Sequence, residues 1–192
     1  MATANRAARD EHLRDLLAAC REDDRKAFAR LYELTSPKVY AVLRRMLRRD
    51  EVAQEVLQEA YLNVWRHAGS YRADRSAPFT WLISIARNRA LDRLRRDKHE
   101  RRADPDPEAR IAALEDGDPM PEDSLAGSEE GRVLRECMKG LSANQQRVLR
   151  MSFFEGLTHV ELADRMGVPL GSVKTWIRRG MVTIKQCLNG RL

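Results

Sequence analysis

The chain has 192 residues, 33% of them charged, with 35 Lys and Arg against 29 Asp and Glu and a formal net charge of +6. That length suits one medium domain or two small ones, the positive balance points to a polyanionic partner, and no stretch approaches the roughly 20 apolar residues of a membrane span. With aromatic residues at only 6%, no alternating β-branched runs, and Leu, Ala, Arg and Glu prominent, the chain reads as all-α.

The opening MATANRAARDEHLRDLL holds no long apolar run and no signal-peptide pattern. Phe28, Leu31 and Tyr32 share one face of a helix expected to stop near Thr35. Ser36 and Pro37 then read as an N-cap followed by a first-turn proline, opening a helix that carries Val39, Tyr40, Val42, Leu43, Met46 and Leu47. A third helix is expected from about Glu51 to His67. Val52, Val56, Leu57, Ala60, Tyr61, Val64 and Trp65 form its apolar stripe, and Gly69 ends it. Beside that stripe, Gln54, Glu55, Gln58 and Glu59 make an acidic, amide-rich face that suits either solvent or a partner helix bearing arginines. A loop, SYRADRSAP, leads to a fourth helix from about Phe79 to Lys98. Trp81, Leu82, Ile85, Ala86, Ala90, Leu91 and Leu94 supply its core face. Arg87, Arg95 and further basic residues, with Ser84 and Asn88 among them, stand on the same helix as Trp81. A basic face beside an aromatic suits single-stranded DNA, although a solvated helix face would look the same.

From Arg101 to Glu130 the composition changes. Four prolines and several Asp and Glu mark 101–130 as a flexible acidic linker between two small helical domains, 1–100 and 131–192. The second domain opens with a helix near Gly131 to Lys139. Ser142 caps the next, which runs through Val148, Leu149 and Phe153 to Gly156. Thr158 and Glu161 have the spacing of a capping box, and Gly167 can take the left-handed conformation that closes a helix. A turn through Val168 and Pro169 opens the last helix. There Val173 and Ile177 face inward while Ser172, Lys174, Thr175, Arg178 and Arg179 face out. This is the helix-turn-helix arrangement, whose second helix enters a DNA major groove and offers donors to phosphates and base edges.

Cys20, Cys137 and Cys187 are odd in number, far apart and without ligand spacing. They read as small apolar core residues of a reduced, metal-free, cytosolic chain. His12, His67, His99 and His159 are scattered and read as surface or capping residues. No Ser/His/Asp set, phosphate loop or carboxylate pair in an apolar setting marks an enzyme, and no cofactor is implied.

The segment AQEVLQEAYLNVWRH and the later FTWLISIARNRALDRLRR resemble the second conserved region of bacterial sigma factors. LSANQQRVLRMSFFEGLTHVELADRMGVPLGSVKTWIRRG resembles their fourth. Two such regions without those between them resemble the extracytoplasmic-function group. The resemblance implies a sigma-2-like domain, a sigma-4-like domain, and a subunit that binds core RNA polymerase, recognises two promoter elements and opens the DNA. It implies that Gln54, Glu55, Gln58 and Glu59 dock on a coiled coil of the largest polymerase subunit. Tyr71 and Asn88 would lie near a base flipped from the non-template strand, with Trp81, Ser84, Arg87 and Arg95 on the same single-strand surface. The helix from Gly171 would read the upstream element. An anti-sigma protein, often membrane-bound, is an implied restraining partner, with no membrane insertion by the chain itself. Trp176 departs from the smaller or basic residue usual at its position, and Asp50-Glu51 follows Arg49 where a glycine turn is common. Without the resemblance, a regulator with an unrelated helical sensor domain, or a helical adaptor that binds no DNA, would remain open.

Overall fold

The computed structural model describes residues 2–103 and 129–189, and every described element is helical. The chain divides into two compact units, 1–124 and 125–192. The expected linker 101–130 lies almost entirely outside the described residues; at its start, the fourth helix continues to Ala103.

In the first unit α1 (Ala2–Arg21), α2 (Arg25–Leu47), α3 (Asp50–His67) and α4 (Pro78–Ala103) pack as a bundle, with a single 3-10 turn, Ala68–Ser70, after α3. The helix α1 adds to the expected elements. Its apolar residues Leu13, Leu17 and Cys20 form a narrow stripe in a charged, Ala-rich segment, and the stripe is buried against Ala27, Leu31, Val64, Ala68 and Leu82. Burial holds the Cys20 thiol protonated, raising its pKa to about 11 with help from Asp24. Asp24 caps α2, its carboxylate accepting from the backbone N–H of Lys26 at 2.8 Å and of Ala27 at 3.1 Å.

The expected break at Ser36 does not occur: α2 runs unbroken through Pro37. A proline inside a helix forfeits one hydrogen bond and crowds the preceding turn, at about 3 kcal/mol. Here Leu31, Thr35, Val39 and Leu43 continue one buried face across the proline. Thr35 also spans the weak point. Its Oγ1 donates to the Leu31 carbonyl at 2.6 Å, so Tyr61 on α3 donates its hydroxyl to the same oxygen, also at 2.6 Å. Packing of both halves on α3 and α4 outweighs the local preference for a break.

At the α2–α3 corner, Arg48 takes a left-handed φ of 58°, a conformation that a glycine would adopt without strain. Tyr40 donates to Asp50 at 2.7 Å and Arg44 pairs with the same carboxylate. Those bonds, Tyr40's first, hold Asp50 below the usual carboxylate range. Gly69 does not end α3 by a left-handed turn; only Gly156 and Gly167 have positive φ among the described glycines.

The second unit holds α5 (Glu129–Lys139), α6 (Ala143–Arg150), a π-turn at Met151–Glu155, α7 (His159–Met166) and α8 (Leu170–Asn189). Its caps are as expected and one is more complete. Ser142 and Gln145 form a reciprocal capping box, as do Thr158 and Glu161. Gly156 (φ 65°) and Gly167 (φ 63°) take the left-handed conformation at the two helix ends. Val148, Met151, Leu162, Ala163 and Val173 form the core, with Trp176 and Ile177 packed against it.

The cysteines overturn the expectation of a fully reduced chain. Cys137 of α5 and Cys187 of α8 form a disulfide, with Cα atoms 5.6 Å apart; Cys20 alone is free and buried. A sequence separation of 50 hid the pairing, because α6 and α7 fill that interval and return the chain beside α5.

Candidate nucleic-acid interface

The face α8 presents is set by its register. Val173 is fully buried and Trp176 and Ile177 half-buried, so the intervening residues turn outward. Lys174 with Arg178, and Thr175 with Arg179, are i,i+4 pairs on that outer face, all four exposed. Ser172 is half-buried beside them. The Thr175 hydroxyl donates back to the Gly171 carbonyl at 2.8 Å, so it offers an outside group an acceptor. Trp176 is drawn into the core, which leaves the outer face to the polar and basic residues. The turn before α8 is held by backbone bonds from Gly167 to Asp164 at 3.3 Å and from Val168 to Ala163 at 3.1 Å. This is a rigid two-helix corner with a cationic outer face, the geometry that enters a major groove.

Two substitutions on this face distinguish reading from holding. Arg178→Ala and Lys174→Ala should each weaken duplex binding by about 1–3 kcal/mol if the side chain touches a base edge, and then only for sequences carrying that base. A phosphate contact would instead weaken all sequences alike and flatten the salt dependence. Affinities on a panel of duplexes at two salt concentrations separate the two, and unchanged affinity for both variants would place the groove elsewhere.

In the first unit, α3 exposes Gln54, Glu55, Gln58 and Glu59 in one stripe, with Leu62 exposed 54% at its far end. Glu55 is not isolated. It accepts from Arg93 of α4 at 3.3 Å, and Arg93 also donates to Asp97 at 2.9 Å. Both groups of the first pair reach solvent, so the pair is weak and open to exchange for an outside cation.

The single-strand candidates divide. Trp81, Ser84, Asn88 and Arg95 fall on one face of α4 by helical spacing. Arg87 sits on another flank, half-buried, its pKa lowered by burial first and then by Arg95. Tyr71 is packed on Trp81. Its ring lies 5.5 Å from that of Trp81 and its hydroxyl donates to the Ser76 carbonyl at 3.0 Å, so it braces the tryptophan from behind. The cavity is a cleft of about 300 Å³ between α3 and α4, lined by Asn63, His67 and Ser70 on one side and by Trp81, Ile85, Asn88, Arg89 and Asp92 on the other. Asn63, His67, Ser70 and Asp92 were not among the sequence candidates, and Arg89 was one of the basic residues expected on this helix. The i,i+4 spacing of Asn63 with His67, and of Asn88 with Asp92, was visible, but nothing in the sequence says that these two faces oppose each other.

Among the described residues no helix is long and apolar enough to cross a membrane, and no group of three or more His, Cys, Asp or Glu is placed to hold a metal ion.

Comparison with known proteins places these two units in sequence space. The family described as Sigma-70 region 2 matches residues 31–100, and that described as Sigma-70, region 4 matches residues 131–184. An ECF RNA polymerase sigma factor SigK of Mycobacterium sp. (strain KMS) is 35% identical over 175 residues, covering 90% of this chain and 89% of that protein. The SigK of Mycobacterium ulcerans (strain Agy99) is 33% identical over 184 residues, covering 94% and 96%. Among solved structures, the sigma factor RpoE of Bartonella quintana in complex with the anti-sigma factor NepR shares 18% identity and a TM-score of 0.40, covering 87% of this chain and 99% of that one.

Proposed function

Because the chain belongs to the extracytoplasmic-function group of bacterial sigma-70 factors, we propose that its first unit docks on core RNA polymerase and opens the downstream promoter element, while its second reads the upstream element as duplex. As a member of that family it is a non-catalytic initiation factor that binds core polymerase and directs promoter-specific transcription. The observation that carries the reading is the order of the parts: an acid-and-amide stripe and an aromatic, basic helix in one unit, then a cationic helix-turn-helix in the other. In residues, Gln54, Glu55, Gln58 and Glu59 meet the polymerase. Trp81, Ser84, Asn88 and Arg95 meet the separated strand, with Tyr71 and Arg87 supporting that surface. Ser172, Lys174, Thr175, Arg178 and Arg179 meet the upstream duplex. The acidic 101–130 joins domains 1–100 and 131–192. In the same reading an anti-sigma protein restrains the chain, which acts in the cytoplasm, where the DNA is.

The test is retention of core polymerase on the immobilised chain, followed by run-off transcription from candidate promoters. A regulator built on a sensor domain would bind duplex without retaining core polymerase, and an adaptor would do neither. Within that assay, Glu55→Lys and Gln58→Ala should weaken core binding with the helical content unchanged. A charge-assisted contact at such an interface is worth roughly 1.5–3 kcal/mol. Glu55→Lys should have the larger effect, since it also sets a new cation beside the guanidinium of Arg93. Wild-type affinity in both variants would remove α3 from the interface.

A further inference from the structure

The acidic stripe of α3 and the basic helix α4 share one side chain. Arg93 of α4 donates through Nη1 to Glu55 of α3 at 3.3 Å, and through Nε to Asp97, one turn further along α4, at 2.9 Å. The two carboxylates do not hold it equally. Asp97 makes the shorter bond at i,i+4 spacing with its side chain 23% exposed, whereas Glu55 stands on the other helix with its side chain 61% exposed. Solvent and salt screen the Glu55 bond more, so it is the contact that Arg93 gives up first.

Other cations stand on the same side of α4. Arg89, one turn before Arg93, donates to the Asn63 side chain on α3 at 3.3 Å, and Arg96, three residues after it, is exposed. By helical spacing the three form one edge of α4. An outside cation that reaches Glu55 and an outside phosphate that reaches Arg93 must each displace the same internal bond. Whichever arrives first removes it, and the second then binds without that competitor. Two ligands that favour the same state of one pair bind cooperatively, by the same factor in either order.

We propose that Arg93 couples the two surfaces: a polymerase cation takes Glu55, and Arg93, displaced from α3, turns to a phosphate of the promoter DNA. The inference rests on the polymerase-docking reading of α3 given above and adds how docking there prepares α4 for nucleic acid. Asp97 keeps the displaced guanidinium on α4, at the edge that Arg89 and Arg96 share. The gain is bounded by the strength of the bond exchanged. An exposed pair corresponds to a factor of about 1.5 to 5, so Arg93 tunes the coupling and does not gate it.

The experiment measures the affinity of the full chain for core polymerase, then the salt dependence with which the holoenzyme binds a forked oligonucleotide from a promoter that passes the run-off assay. Arg93→Gln removes the internal competitor for Glu55 and should tighten core binding by about 1.5- to 5-fold, whereas a merely structural role would weaken it. Asp97→Asn leaves Arg93 to Glu55 alone and should weaken core binding by a similar factor; it carries the test where Arg93→Gln unfolds. Glu55→Gln should weaken core binding, and adding Arg93→Gln to it should change nothing further. In the holoenzyme, Arg93→Gln should lower the salt slope by about one, the loss of one phosphate contact, and Glu55→Gln should leave it as it is. If Glu55→Gln binds core as tightly as the wild type, the docking reading of α3 falls and the exchange with it. If Glu55→Gln weakens core binding but Arg93→Gln does not tighten it and Asp97→Asn does not weaken it, docking stands and the exchange is overturned. If Arg93→Gln tightens core binding with the slope unchanged, no phosphate takes Arg93 and the coupling is overturned.

Discussion

Reducing the disulfide between Cys137 and Cys187 should lower the stability of the second unit by about 4 kcal/mol, the loop-closure entropy released when a bond spanning this separation is opened in the unfolded chain. The bond joins α5 to the end of α8, where Ile184, Cys187 and Leu188 are only half-buried and α8 lies beyond the α6–α7 core. Cys137 is 1% exposed, so a reductant should act slowly and through opening of that end of the unit. Urea unfolding of the full chain, followed by hydrogen exchange in α5 and α8 with and without reductant, measures the loss. The Cys137→Ser, Cys187→Ser double variant should match the reduced protein. The half of α8 that carries Lys174 and Arg178 is anchored separately by Val173 and Ile177, so duplex affinity well below the unfolding midpoint should change much less than stability. Equal stability in the oxidised and reduced protein would mean that α5 is held to α8 by packing alone.

Leu82→Ala should cost the first unit about 2–5 kcal/mol, the range for a fully buried leucine whose space cannot collapse. Leu82 is 1% exposed at the point where α1, the turn after α3 and α4 meet, against Leu13, Leu17, Val64 and Ala68. The cluster around it draws on several separate elements, so no single side-chain shift fills the void. The same site backs Trp81 and the turn that carries Ser70, and single-strand binding should fall with stability. The unfolding transition of the second unit should stay where it is, because each unit is built on a core cluster of its own. A loss under about 1 kcal/mol would show that α1 moves in to refill the space.

The two units differ in how far they were legible. The helix-turn-helix was readable almost residue by residue, because its signals are local. Thr158 with Glu161, Gly167, Pro169 and the inward Val173 each act within one or two turns of their own position. The acidic stripe of α3 was likewise visible, since a surface face follows from helical period once the apolar stripe is known. At Pro37 the local signal misled. Ser36-Pro37 is a sound helix start in isolation, and only the Thr35–Tyr61 bond and the buried face on either side carry the helix through.

What the sequence determined by itself was therefore the set of short-range structures: the helices other than α1 and the join at Pro37, their caps, the outward face of α8, and, through its motifs, the family. The tertiary structure decided everything that depends on which distant faces meet. It drew the weak stripe of α1 into the core, brought Cys137 to Cys187, packed Tyr71 on Trp81, and set His67 opposite Asp92 across a cleft. The physical reason is range: a capping bond or a helical period is satisfied within a few residues, whereas burial and side-chain pairing between helices exist only once the chain has paid the entropy of closing the loops between them.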